Sequence, residues 1–146
     1  MDAWDDQPRR SVRLAAFLFG LSGVGNSIAT PLVLRSYERN GQLPEAPFEL
    51  GFRLMEGPFE ELGSDRFVTL GWTLFTVSVL DVIVAVLLWR GSGRGAVLGV
   101  VTSPVVLALG IGFAVPFLLV TAPLRLALIV AGWSGLNWSS RKGSRS

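Results

Sequence analysis

The chain has 146 residues; half are apolar, 16% are charged, and mean hydropathy is +0.50. An average soluble chain is roughly a quarter charged, so this composition excludes a disordered protein, a nucleic-acid arm and an ordinary soluble domain, and points to the bilayer. Net charge is +2, and Cys and His are both absent, which removes thiol redox chemistry, Cys/His zinc sites, iron–sulfur clusters, His-ligated haem and any Ser-His-Asp or Cys-His pair.

A segment of residues 1–13 carries Arg9, Arg10 and Arg13 and precedes a first apolar stretch, 14–34. The Arg9-Arg10 pair and Ser27-Ile28-Ala29 together admit a cleaved signal. The apolar run continues past Ala29 to Leu34, so a retained transmembrane helix is the expectation. Loop 35–66 follows. Within it Phe48, Phe52, Met55 and Phe59 recur at helical spacing, with Glu49, Arg53, Glu56 and Glu60 one step on. This pattern predicts a short amphipathic helix, interrupted at Gly57-Pro58. It would lie in the outer interface as a cap on the bundle or as a surface for a partner. Phe48, Leu50, Phe52 and Leu54 also alternate as in a strand, but a lone strand has no ladder partner.

The second apolar stretch is 67–89. After a short basic link, 90–95, the chain is apolar from Ala96 to Trp133 except at Arg125. One span needs about 20 helical residues, so this run predicts two spans, 96–113 and 117–135, and Gly110, Gly112 and Pro116 put the turn near Phe113–Pro116. A single long tilted helix is the alternative. Tail 136–146 closes the chain. The fold class expected is therefore an all-α, four-helix transmembrane bundle.

Charges in short loops set orientation. Arg9, Arg10, Arg13, Arg90, Arg94, Arg141, Lys142 and Arg145 lie on one side, whereas residues 36–66 carry Arg39, Arg53 and Arg66 with seven acids. Both termini are expected in the cytoplasm. Trp89 and Trp133 then mark the inner interface and Trp72 the outer one. Lys142 is the only lysine, a bias that suggests a GC-rich, bacterial gene and hence a bacterial inner membrane.

Asp81 and Arg125 are the two ionisable residues well inside spans. Neither should face lipid, since each costs about 2.5–3.5 kcal/mol at mid-helix. Each lies eight residues before an inner-interface Trp, at a depth of about 12 Å. Equal depth and opposite sign predict an ion pair, read either as a neutralised packing device or as a proton or substrate site. Ser22 and Ser103 come out at about the same depth. Asn26 extends a Ser22–Thr30 stripe, and Ser78 shares a face with Asp81. Ser22, Asn26, Ser78 and Ser103 are thus the candidate polar layer around the pair. Spacings of four among Gly95, Gly99 and Ser103, Ala127, Ala131 and Gly135, and Ala16 and Gly20 offer close helix packing, within the chain or between copies. Pro104 and Pro123 free backbone carbonyls near Ser103 and Arg125.

Asn137-Trp138-Ser139 fits a glycosylation pattern but falls on the inner side, and Gly91-Ser92-Gly93-Arg94-Gly95 lacks the features of a phosphate loop. The plan shares topology alone with small multidrug transporters and claudin-like proteins. Span one carries Asn26 and no acid, and the outer loop has no cysteines, so neither family is assigned. No cofactor, metal or nucleic acid is expected. Expected partners are the bilayer and either a second copy or a membrane protein. The leading reading is a non-enzymatic structural or partner-binding membrane subunit; the alternative is a small carrier or proton-coupled transporter using Asp81 and Arg125.

Overall fold

A computed structural model describes residues 6–45 and 53–136. Among these, the regular structure is helical: α1 (Asp6–Asn40), α2 (Ser64–Trp89), α3 (Gly93–Gly112) and α4 (Pro116–Ala131). The expected apolar stretch 14–34 is the middle of a longer helix, because the residues flanking it, though polar, still favour helix. Pro31 lies inside α1 without ending it. The helix stops at Gly41, whose φ of 68° suits glycine and whose N–H reaches the Tyr37 carbonyl at 2.8 Å. A sharper reversal joins α2 to α3. Gly91, at φ 71°, donates to Leu88 O at 2.8 Å, and Ser92 N–H donates to Leu87 O at 2.9 Å. Between α3 and α4 the chain turns through Phe113, Ala114 and Val115, and Pro116 opens the next helix where its missing N–H costs nothing.

Exposure is distributed as in a protein solvated by hydrocarbon. Leu14, Phe17, Leu21, Val24, Ile28 and Leu32 form an exposed apolar stripe along α1, and Val97, Val101 and Val105 one along α3. Ser22, Ser78, Asp81, Ser103, Thr121 and Arg125 are buried. A water-soluble bundle places these classes the other way round. α1, α2 and α3 are each long and apolar enough to cross a membrane; α4 is shorter, at 16 residues. Together these features mark a helical membrane protein.

Neighbouring contacts run α1–α2, α2–α3, α3–α4 and α4–α1. The helices form a square, with α2 and α4 at opposite corners. Its core has two apolar halves. One, at the end bearing the 41–63 loop, contains Leu34, Phe67, Leu74, Leu109, Phe113 and Leu118. The other contains Val12, Phe19, Val84, Leu88, Ala96 and Ile129. Ser22 and Thr30 of α1, Ser78 and Asp81 of α2, Thr102 and Ser103 of α3 and Arg125 of α4 fall between these halves in sequence, which makes the middle of the bundle its polar level.

The loop end is closed by rings and backbone. Tyr37, Phe67, Phe113 and Phe59 follow one another at centroid separations of 4.9, 5.3 and 5.1 Å, linking α1, α2, the α3–α4 turn and the loop. Of the expected amphipathic stripe, Phe48 and Phe52 lie outside the described residues. Met55 is buried in the loop-end core and Phe59 packs against it. The described part of the loop is not a continuous α-helix. Arg53 pairs with Glu45 in an isolated antiparallel bridge, and Leu54 N–H donates to Pro44 O at 2.8 Å. Met55 then turns with φ 60°, and Pro58–Leu62 form a single 3-10 turn. Pro58 cannot donate a helical hydrogen bond, and Gly57 lies against the backbone of Gly112 and Phe113, where a Cβ would come within 2.5 Å of the Gly112 oxygen. Close backbone docking and a continuing α-helix are incompatible there.

Arg53 also holds Glu56 at 2.7 Å and Glu60 at 3.5 Å. Its hydrogen bond keeps the Glu56 carboxyl below its ordinary range. A depressed folded-state value adds stability above the unfolded carboxyl's titration range, and that contribution is lost as pH falls through the folded value. Hydrogen exchange of residues 53–62 should therefore speed up modestly under acid, below about pH 4.5. In Glu56→Gln it should already be faster at neutral pH, and the acid-dependent part should shrink. An unchanged acid response in that variant would assign the step to another carboxylate.

Candidate functional site

The polar middle is built around Arg125. Its side chain starts from α4, two residues after Pro123, and reaches across the square toward α2. Nη1 donates to Asp81 Oδ2 at 2.7 Å and to Ser22 Oγ at 2.9 Å. Both Nη1 hydrogens are thereby used. Ser22 in turn donates to the Phe19 carbonyl at 3.3 Å, so its hydroxyl acts as acceptor and donor at once. The Phe19 ring covers the guanidinium, with Cζ 4.2 Å from its centroid, a cation–π contact strengthened by burial. The Arg125 and Asp81 side chains are 0% and 3% exposed.

Pairing is one-pronged. Nε and Nη2 of Arg125 and Oδ1 of Asp81 are buried with no hydrogen-bond partner among the described residues. A two-pronged contact would match both oxygens. Arg125 reaches from one corner of the square to the opposite one and presents only Nη1 to Asp81. The centre is therefore neutral overall but retains unmatched donors and an unmatched acceptor.

Helix packing explains why Ser22 can join. Gly23 sits directly on α2, and a Cβ there would lie 2.8 Å from Ser78 O and 2.9 Å from Val82 N. That close approach brings α1 within hydrogen-bond reach of a side chain rooted on α4. Gly99 does the same for α3, since a Cβ would lie 2.9 Å from the Phe19 ring and 3.0 Å from Ile129 Cδ1.

The sequence candidates divide in two. Asp81, Arg125 and Ser22 meet. Ser78 and Ser103 are buried but serve their own helices, donating to Leu74 O at 2.7 Å and Gly99 O at 2.6 Å. Asn26 is half-buried and lies away from the pair. It lines a crevice of about 110 Å³ at the loop end with Thr30, Arg53, Met55, Leu74 and Val115. Neither Asp81 nor Arg125 lines that crevice. Sequence reasoning missed Phe19. Its signal was present, because Phe19 lies three residues before Ser22 on the same helical face, but aromatic residues on apolar helices are too common to single one out.

No group of three or more carboxylates that could hold a metal occurs among the described residues. No known protein family, curated protein or solved structure matches this chain. What the site does is therefore argued from its geometry.

Proposed function

We propose that the chain is a four-span bundle in a bacterial inner membrane, with both termini cytoplasmic and the 41–63 loop outside, acting as a structural or partner-binding subunit. The observation carrying this reading is the sealed charge centre. Asp81 and Arg125 are almost wholly buried, joined to each other, and enclosed by Ser22 and Phe19. A carrier needs a water path to its charged residue in the state that loads substrate. Support for α4 as a fourth span comes from its place beside α1 and α3 and from exposed Phe117, Val120, Leu124 and Val130.

The chain has no cysteine, so a single introduced thiol reports access directly. Ser22→Cys should resist a small, membrane-impermeant thiol reagent in intact membranes, while a cysteine at exposed Gly41 should react. Reaction at position 22 from either side would favour the carrier. That second reading draws on the unmatched Arg125 Nε and Nη2 and Asp81 Oδ1, which offer a substrate or a proton-carrying water a place to bind.

Topology has its own test. Eight Lys and Arg on the proposed inner side against three at 36–66 imply that reporters fused at Met1 and Ser146 both read cytoplasm, and one between Gln42 and Ala46 reads exterior. A C-terminus read on the outside would remove α4 as a span. A mature chain starting at Thr30 would mean that the first helix is a cleaved signal.

A further inference from the structure

At the end of the bundle opposite the loop, two cavities share the residues Trp89 and Arg90. The first, of about 220 Å³, is lined by Arg9, Arg13 and Arg90 together with Val12, Leu88 and Trp89. No carboxylate lines it among the described residues. Arg13 lies over Trp89, with Cζ 6.0 Å from the ring centroid, so the indole holds that guanidinium at the mouth. The second is an open groove of about 680 Å³ between α1 and α2. Ala16, Gly20 and Ala85 make its base; Phe17, Leu21 and Val86, each about half exposed, make its walls. From Ala16 to Val24 it runs about 12 Å along the helix. It opens on the exposed apolar face of α1, the face that meets hydrocarbon.

We propose that this composite cavity binds one anionic phospholipid, with the headgroup phosphate among Arg9, Arg13 and Arg90 and one acyl chain laid in the α1–α2 groove. Charge complementarity selects the headgroup, because three arginines line the recess and, among the described residues, no carboxylate does. Arginine's planar fork matches phosphate oxygens two at a time. Basic recesses between membrane helices beside the interface are where anionic headgroups are held. The groove selects a lipid over free phosphate: it continues from the same Trp89 and Arg90 into a wholly apolar channel running along the helices. Small residues keep the channel open. A Cβ added at Gly20 would touch only Ala85 Cβ, at an ordinary 3.6 Å, so larger side chains fit at that position and their absence leaves a trough. The assignment rests on α1 and α2 lying in a membrane, and is independent of the cap and of the charge pair.

Native mass spectrometry of the full chain in detergent tests it, with phosphatidylglycerol and phosphatidylcholine of identical acyl chains as probes. One phosphatidylglycerol should remain bound, with a preference of about tenfold or more over phosphatidylcholine. Combining Arg13→Gln and Arg90→Gln, both on exposed positions that leave the core intact, should abolish that preference. Arg35→Gln with Arg39→Gln, at the other end of α1, should preserve it. Gly20→Leu should weaken retention of both lipids by filling the trough. Equal retention of the two lipids in the unaltered chain would overturn the proposal, as would equal losses in the two arginine pairs. Competition by inorganic phosphate at matched concentration would reduce the site to an anion site. A dimer dissociated by Gly20→Leu would assign the groove to a second copy and exclude the lipid.

Discussion

Asp81→Asn should sharply lower the folded yield and thermal midpoint of this protein in detergent, and Arg125→Gln should do the same. Either change leaves one buried charge facing a neutral amide, in a centre where Arg125 is 0% and Asp81 3% exposed at the side chain. Breaking a buried pair from one side costs about 3–5 kcal/mol in soluble proteins. Water defects and snorkelling lower that figure in a bilayer. Arg125 has little room to snorkel, because Phe19 covers its guanidinium and Ser22 holds Nη1. The double change Asp81→Asn with Arg125→Gln should recover much of the loss, since two amides can bond each other without carrying charge. A double-mutant cycle reads the coupling. Additive losses would show that the 2.7 Å contact carries no coupling. Stability restored along with unchanged physiological function supports the structural reading. Stability restored with function lost would transfer the site to the carrier.

A comparably large effect is expected at Gly23, with its control two residues away. In Gly23→Ala the new methyl would lie 2.8 Å from Ser78 O and 2.9 Å from Val82 N. These are backbone atoms of α2 and cannot rotate aside. α1 must retreat, which stretches the Ser22–Arg125 hydrogen bond as well as the helix interface. Overpacking of this kind costs about 1–3 kcal/mol. Gly25→Ala meets nothing within 4 Å, so it should be neutral or stabilising, by up to about 1 kcal/mol of helix propensity. Thermal unfolding of both variants in one detergent checks the contrast. Equal midpoints would mean that α1 and α2 do not touch at Gly23.

Much of this architecture was legible in one dimension. A bilayer solvates helices uniformly along their length, so long apolar runs bounded by arginine identify them without knowledge of packing. The same reasoning singled out Asp81 and Arg125, because an intramembrane charge is expensive wherever its helix lies. Counting residues from Trp89 and Trp133 placed both at one depth, and their side chains meet at 2.7 Å. Depth is additive along a helix, which is why a count sufficed. Ser22 followed from the same count, from Arg13.

Azimuth is not additive in that way, and there the sequence was insufficient. Whether α2 and α4 are neighbours or opposite corners depends on which helices pack, and the square arrangement makes Arg125 span a diagonal with a one-pronged contact. Ser103 matched the pair in depth but spends its hydroxyl on Gly99 O, a choice of rotamer that spacing does not encode. The loop shows the limit most clearly. Its helical periodicity at Met55 and Phe59 correctly indicated which side chains turn inward, yet Arg53, Met55 and Gly57 take bridge, turn and extended conformations. Docking against the α3–α4 turn outweighs a local preference worth only tenths of a kcal/mol per residue. Composition and hydropathy thus determined that the chain is helical and belongs in a membrane, since both depend on what each residue prefers as solvent. The tertiary structure alone decided which polar groups meet, that Phe19 covers the guanidinium, and that three arginines line a recess beside an apolar groove, because those depend on how helices are rotated against one another.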